Sequence, residues 1–278
     1  MVHQGPLNSA PVVSLLTDFG LSDPYVGVMK GVILARCPSC RLVDLTHEVP
    51  PQGIVQAAYL LEAAWPFFGA GSIHVAVVDP GVGTARRRLA LAAAGQYFVG
   101  PDNGLLSAAL PPAARGARRT GEGYSPRPVP VPPGVECVEI EPGPGPRSAT
   151  FEGRDVFAPA ASRLACGASL ADLGPPLQEV LALPAFRAPR AADGAIEGLI
   201  VHVDRFGNLL TDIDPADLPP RPVFRLAGRD VSLAATYGEA AGLAAIVSSN
   251  GRIEIALRNG SAAALTGLGP GDVVRVEG

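Results

Sequence analysis

Val77-Val78-Asp79-Pro80-Gly81-Val82-Gly83-Thr84-Ala85-Arg86-Arg87 decides how this chain is read. A β-branched apolar run stops at an acid, a proline and two glycines, and cations follow. Such a run reads as a buried strand delivering Asp79 to a tight turn, since Pro fixes φ, Gly supplies φ > 0 and Asp bonds its own backbone. Taken alone, Asp-Pro-Gly is satisfied as a simple turn. A carboxylate and a guanidinium brought together at a strand's C-terminal end, here Asp79 and Arg86, also suit the positioning and polarising of a small nucleophile such as water. Strand ends are where open α/β sheets bind ligands.

Working outward, Val12–Thr17 reads as a first buried strand ending in Asp18-Phe19-Gly20, and Tyr25–Ala35 carries helical apolar spacing. Arg41–Leu45 is a second strand, Ile54–Trp65 a second helix, Ser72–Val78 the third strand, and Leu89–Ala93 with Gln96–Val99 a hairpin. A short helix starts at Asn103, and another covers Phe157–Cys166. The alternation predicts an α/β N-terminal domain with a parallel-rich central sheet. Residues 111–150 are rich in Pro and Gly and read as a connection with one or two strands near Gly134–Ile140. From Ala195 short strands and turns repeat, predicting a smaller all-β, barrel-like C-terminal domain. The expected domains are 1–188 and 189–278.

The chain has 278 residues, 47% of them hydrophobic and 17% charged, enough for a substantial core. No apolar run is long enough to span a membrane, and Met1–Pro6 lacks a basic and apolar leader, so a cytoplasmic protein with no membrane partner is expected. A net charge of −4 with no basic stripe argues against nucleic acid. Cys37 and Cys40 form one C-x-x-C, but no second pair exists and the four His residues show no ligand spacing. No metal is expected; the two thiols read as ordinary residues of a helix-to-strand loop.

Four segments are too polar for their positions: Thr17-Asp18-Phe19-Gly20 with Asp23 beyond, Asp79–Arg86, Gly100-Pro101-Asp102-Asn103-Gly104, and Thr150-Phe151-Glu152-Gly153-Arg154-Asp155. An Asp at the end of a first strand binds ribose hydroxyls, or caps a turn. Gly153 leaves a backbone N–H free to face a small ligand at a helix start, or belongs to a cap beside a surface Arg–Asp pair. The β region adds Asp204-Arg205-Phe206-Gly207-Asn208 and Ser248-Ser249-Asn250-Gly251, hairpin turns that also offer a carboxylate, an aromatic face and amides. Those groups suit an amino-acid zwitterion and a purine ring.

Taken in order, six segments resemble the S-adenosyl-L-methionine (SAM) hydroxide adenosyltransferase family, relatives of the fluorinase and chlorinase. They are Leu16-Thr17-Asp18-Phe19-Gly20, Val43-Asp44-Leu45-Thr46-His47, Val78-Asp79-Pro80-Gly81-Val82-Gly83, Phe98-Val99-Gly100-Pro101-Asp102-Asn103-Gly104, Gly153-Arg154-Asp155-Val156-Phe157-Ala158-Pro159 and Asp204-Arg205-Phe206-Gly207-Asn208. The resemblance implies hydrolysis of SAM to adenosine and L-methionine without a cofactor. It also implies a homotrimer whose active sites lie at subunit interfaces. By the same resemblance Asp18, with Asp23 beyond it, serves the ribose. Asp204 takes the methionine ammonium with help from Ser249, and Phe206, Asn208, Tyr237, Arg258 and Asn259 line the adenine pocket.

The resemblance also separates hydrolase from halogenase. The halogenases carry Tyr where this chain has Asp79 and lack an Arg matching Arg86. The hydrolases hold their water with an Asp–Arg–His set, and this chain has Glu152 at the His position. The expected catalytic group is therefore Asp79, Arg86, Glu152 and Gly153. Two carboxylates beside one Arg are expected to share a proton, or one to titrate high. The competing readings are a non-catalytic SAM- or adenosine-binding protein and, behind it, a SAM-dependent halogenase.

Overall fold

Strand β1 (Val12–Thr17) buries five of its six residues, as a central parallel strand does when both faces are covered. The computed structural model describes residues 10–278, so the reading of Met1–Pro6 lies outside the described residues. Helix α1 (Tyr25–Arg36) leads to β2 (Arg41–Thr46), and α2 (Ile54–Ala64) to β3 (Ile73–Val77). The hairpin β4 (Arg88–Ala93) and β5 (Gln96–Pro101) follows, then a 3-10 turn at Leu105–Ala109 and a single turn α3 (Pro112–Arg115). Strands β6 (Arg127–Pro130) and β7 (Glu136–Glu139), helix α4 (Ala158–Ala165) and β8 (Glu179–Ala182) complete this part.

The sheet order is β2-β1-β3-β5-β4-β7, with β1, β2, β3 and β5 parallel and β4 antiparallel to both its neighbours. Strand alternation sends Val13, Leu15, Val75 and Val77 to one face, where Met29 and Ile33 of α1 and Leu164 of α4 cover them. Leu16, Ala76 and Val78 go to the other face, against Ala57 and Leu61 of α2. This is the expected α/β domain, and it carries Asp18 and Asp79 just beyond the ends of adjacent strands. Gly83, at φ +79°, lets the loop after Asp79 approach residue 149: a Cβ there would sit 2.6 Å from the Ala149 carbonyl oxygen.

The paired strands of the second unit are all antiparallel. Strands β9 (Ile196–Val203), β10 (Leu209–Thr211), β11 (Val223–Leu226), β12 (Arg229–Ser232), β13 (Leu243–Val247), β14 (Ile253–Leu257) and β15 (Val273–Glu277) order as β12-β11-β15-β9-β10-β14-β13. A bridge from Leu233 to Ala245 nearly closes the barrel, whose core holds Ile200, Leu209, Phe224, Ile255 and Val276. A five-residue helix, α5 (Ala262–Thr266), is capped by Ser261 and stopped by Gly267 at φ +71°.

The chain divides into residues 1–114 with 126–183, and 115–125 with 184–278. The expectation of one cut near 188 differs because 115–125 crosses into the second unit. There Arg118, buried, lies 3.1 Å from Asp212 and donates to the carbonyls of Glu197 (2.6 Å) and Glu122 (2.9 Å). Tyr124 donates to the same Asp212 oxygen at 2.8 Å. The Pro-rich stretch holds two strands, β6 and β7. Strand β6 pairs only with β8, in a two-stranded ribbon where proline is tolerated.

Candidate active site

Asp79 emerges two residues past β3, where Asn103 fixes the chain by donating Nδ2–H to the Val78 carbonyl at 2.8 Å. Arg86 returns to it: Nε donates to Asp79 Oδ1 at 2.8 Å and Nη2 to Oδ2, a fork-on-fork ion pair. The same Nη2 donates to Glu152 Oε2, and the guanidinium lies over the Phe157 ring at 5.5 Å. Burial works against the Arg86 charge. The Asp79 hydrogen bond and the charges of Asp79 and Glu152 outweigh it and hold Arg86 above its ordinary range.

Arg88 was not singled out from sequence. Its Nε and Nη2 reach Glu152 Oε1 at 2.6 and 2.5 Å. The sequence reading counts one cation here, whereas Glu152 lies between two guanidiniums. Arg87, between them in sequence, points to the opposite face and binds the buried Asp102 at 2.8 Å, so the 100–104 loop is structural here.

Asp18, Asp79, Glu152 and Gly153 line one cavity of about 240 Å³ together with Phe19 and Phe151. The rings of Phe19, Tyr25 and Phe151 pack edge to face at 5.3–6.1 Å, an apolar wall beside the carboxylates. Gly153 opens a wide turn, Gly153–Phe157, of i→i+5 geometry, and a Cβ on it would press Met29 Sδ at 3.0 Å. Arg86 stands behind the two carboxylates and outside the cavity lining. Asp23 also lies outside it, exposed in the turn before α1. Arg154 and Asp155 bind each other at 2.6 Å as a surface pair.

Asp18 is held by neighbours. Its Oδ2 accepts the Gln52 N–H at 2.8 Å, and the Thr17 hydroxyl is within 2.8 Å of His47 Nδ1. His47 Nε2 lies 3.0 Å from Asp44, which accepts from Lys30 at 2.6 Å, and Gly20 N–H donates to the His47 carbonyl. Burial raises the Asp44 carboxyl, but the bonds from Lys30 and His47 win and hold it low. His47→Ala removes a buried partner of Thr17 and is expected to cost about 1–3 kcal/mol in urea unfolding. A loss under about 0.5 kcal/mol would show that this chain does not brace the loop.

In the second unit Asp204 Oδ1 accepts the N–H groups of Phe206 (2.9 Å) and Asn208 (2.8 Å), and Oδ2 accepts Asn208 Nδ2 (2.9 Å). Gly207, φ +81°, keeps this turn against Ser261; a Cβ would sit 2.0 Å from the Ser261 hydroxyl. Phe206, Asn208, Tyr237, Arg258 and Asn259 line one open cavity of about 590 Å³. Ser249 does not line it; it is exposed in the β13–β14 turn.

Sequence reasoning missed Glu254. It is buried on β14 and accepts the Tyr237 hydroxyl. That bond, with burial and the charges of Glu254 and Asp204, pushes the Tyr237 hydroxyl up to about 12. Burial, and then the Asp204 charge, raise Glu254, although the Tyr237 bond opposes this. Two carboxylates therefore sit near Tyr237, a setting that favours a cation.

The thiols of the C-x-x-C are not equivalent. Burial would raise Cys37, but bonds from Cys40, Cys166 and Ser39 bring it below its ordinary value, whereas burial and Cys37 push Cys40 up to about 12. All four cysteines are free, and among the described residues no group of three His, Cys, Asp or Glu is placed to hold a metal.

The first unit thus carries a strand-end carboxylate–guanidinium site on an α/β sheet, and the second an open pocket of aromatic and amide groups on a β-barrel. Residues 13–174 match the family model of the SAM hydroxide adenosyltransferase N-terminal domain, and residues 198–275 that of its C-terminal domain. The chain belongs to this family of enzymes. It is 44% identical to an (R)-S-adenosyl-L-methionine hydrolase of Thermus thermophilus, over 95% of this chain and 98% of that one. It is 40% identical to another of Salinispora tropica, over 96% and 97%. A crystal structure of an uncharacterized conserved protein from Thermotoga maritima superposes with a TM-score of 0.79 at 32% identity, over 95% of this chain and 99% of that one.

Proposed function

We propose that the protein hydrolyses SAM to adenosine and L-methionine by attack of water or hydroxide on ribose C5′. The observation that carries this reading is the forked Asp79–Arg86 pair, with Asp79 in the same cavity as Asp18. The water oxygen forms its bond to C5′ as the C5′–S bond breaks, and the electron pair goes to sulfur. Methionine leaves as a neutral thioether, so departure needs no acid. The chain's task is to orient the nucleophile and keep bulk water out. Asp79 directs the water and takes its proton, while Arg86, behind it, holds the carboxylate in place through the forked pair.

Asp18 binds the ribose hydroxyls, with Asp23 at the edge of that site. Asp204 receives the ammonium, with Ser249 helping and Glu254 adding negative potential. Phe206, Asn208, Tyr237, Arg258 and Asn259 hold adenine. No cofactor takes part, since SAM is itself the substrate. The working form is a homotrimer with active sites at subunit interfaces. The protein works in the cytoplasm without membrane or nucleic-acid partners; no helix among the described residues is long and apolar enough to cross a membrane.

Incubation of the purified protein with SAM in chloride buffer, followed by chromatography, is expected to yield adenosine and methionine in equal amounts. Binding of SAM without products would instead identify a sensor. Formation of 5′-chloro-5′-deoxyadenosine would identify a halogenase, an outcome opposed by the negative charge of Asp79 beside any anion.

A further inference from the structure

Glu152 is a nearly buried carboxylate in the cavity wall, and such a group persists only when it is paired. Its two oxygens are divided between two cations: Arg88 takes Oε1 through both Nε and Nη2, and Arg86 takes Oε2. Arg86 then grips Asp79 on its other side. On the approach to β4, Arg86 and Arg88 turn toward Glu152 and Arg87 toward Asp102. Arg88 itself does not line the cavity, and its side chain is 24% exposed.

We propose that Arg88 is a positioning residue for the hydrolysis: by gripping Glu152 Oε1 it fixes Oε2 on Arg86, and so sets the Arg86 guanidinium against Asp79. This rests on the hydrolase reading above. Glu152 then serves as an anionic strut between two guanidiniums, and Asp79 is left to take the proton. The charged groups that face Glu152 are Arg86 and Arg88 from the approach to β4, Asp79 from the end of β3 and Asp18 from the end of β1. On its own turn, Arg154 and Asp155 neutralise each other.

The test is a double-mutant cycle on the full chain, with SAM as probe. Arg88→Met is expected to lower kcat about 10- to 100-fold, with KM changed less than about threefold, because it misplaces a group rather than a substrate contact. Release of Glu152 loosens Arg86 from Asp79, the proton acceptor, so the acid limb of the pH–rate profile moves to higher pH. Arg88→Lys restores part of kcat and of the limb. Glu152→Gln combined with Arg88→Met is expected to be no slower than Glu152→Gln alone.

A purely structural Arg88 would lower the melting temperature and leave the limb in place. An unmoved limb with unchanged kcat, or effects of the two substitutions that multiply, would overturn the inference. Should Arg88→Met fold poorly, Arg88→Lys and Glu152→Gln still yield a coupling. A wild-type protein that forms no adenosine overturns the hydrolase reading and this inference together. An active wild type with uncoupled variants overturns this inference alone.

Discussion

Asp79→Ala is expected to slow SAM cleavage by about 100- to 10,000-fold while SAM binding weakens far less, by about tenfold at most. The carboxylate faces the cavity and is held by its fork to Arg86. The alanine variant removes the proton acceptor and leaves Arg86 with Glu152 alone. Ribose and adenine contacts lie elsewhere, so affinity persists. Asp79→Asn keeps the shape, loses the charge, and is expected to fall almost as far. Single-turnover cleavage beside calorimetric titration separates chemistry from binding. A variant that retains a tenth of the wild-type rate would remove Asp79 from the chemical step.

The largest stability effect is expected at a residue remote from that chemistry. Asp212 is fully buried, accepts the Leu199 N–H at 2.7 Å and the Tyr124 hydroxyl at 2.8 Å, and pairs with the buried Arg118. Asp212→Ala takes from the buried Arg118 its nearer counter-charge, leaving Glu197 at 3.8 Å, and loosens 115–125 from the barrel. The expected cost is about 3–5 kcal/mol, a fall in Tm of at least roughly 12 °C for a unit of this size. Asp217→Ala is the control. Its partner Arg187 is 59% exposed, and a pair of that kind contributes about 0–1 kcal/mol. Equal Tm losses in the two variants would show that the buried pair has no special weight. Asp212 follows β10 and thus lies four residues past Asn208, so circular dichroism and adenosine binding should fail over the same temperature range.

The strand ends were legible because apolar runs broken by Asp, Pro and Gly leave little choice of local structure. Asp79 and Arg86 are seven residues apart across one such break, and their meeting is a local event. Glu152 reached the site only through family resemblance, since nothing in its own segment points to residue 86. Arg88 was invisible because nothing in the sequence tells which of three consecutive arginines turns toward Glu152. Glu254 was hidden in the same way, as one polar position in an otherwise apolar strand. The crossing of 115–125 left no mark on composition; it rests on contacts distant in sequence, among them a buried ion pair between residues 94 apart. Asp23 and Ser249 had suitable chemistry, but their turns hold them exposed.

The formal charges around the first cavity do not cancel. Asp18, Asp79 and Glu152 are three carboxylates, set against the guanidiniums of Arg86 and Arg88, which leaves one negative charge in excess. A sulfonium substrate supplies the missing positive charge. Cleavage of its C–S bond destroys that charge: the thioether and the alcohol are neutral there, and the released proton passes to solvent. Attraction that draws the substrate in is thus switched off by the reaction itself, and the site expels what it makes.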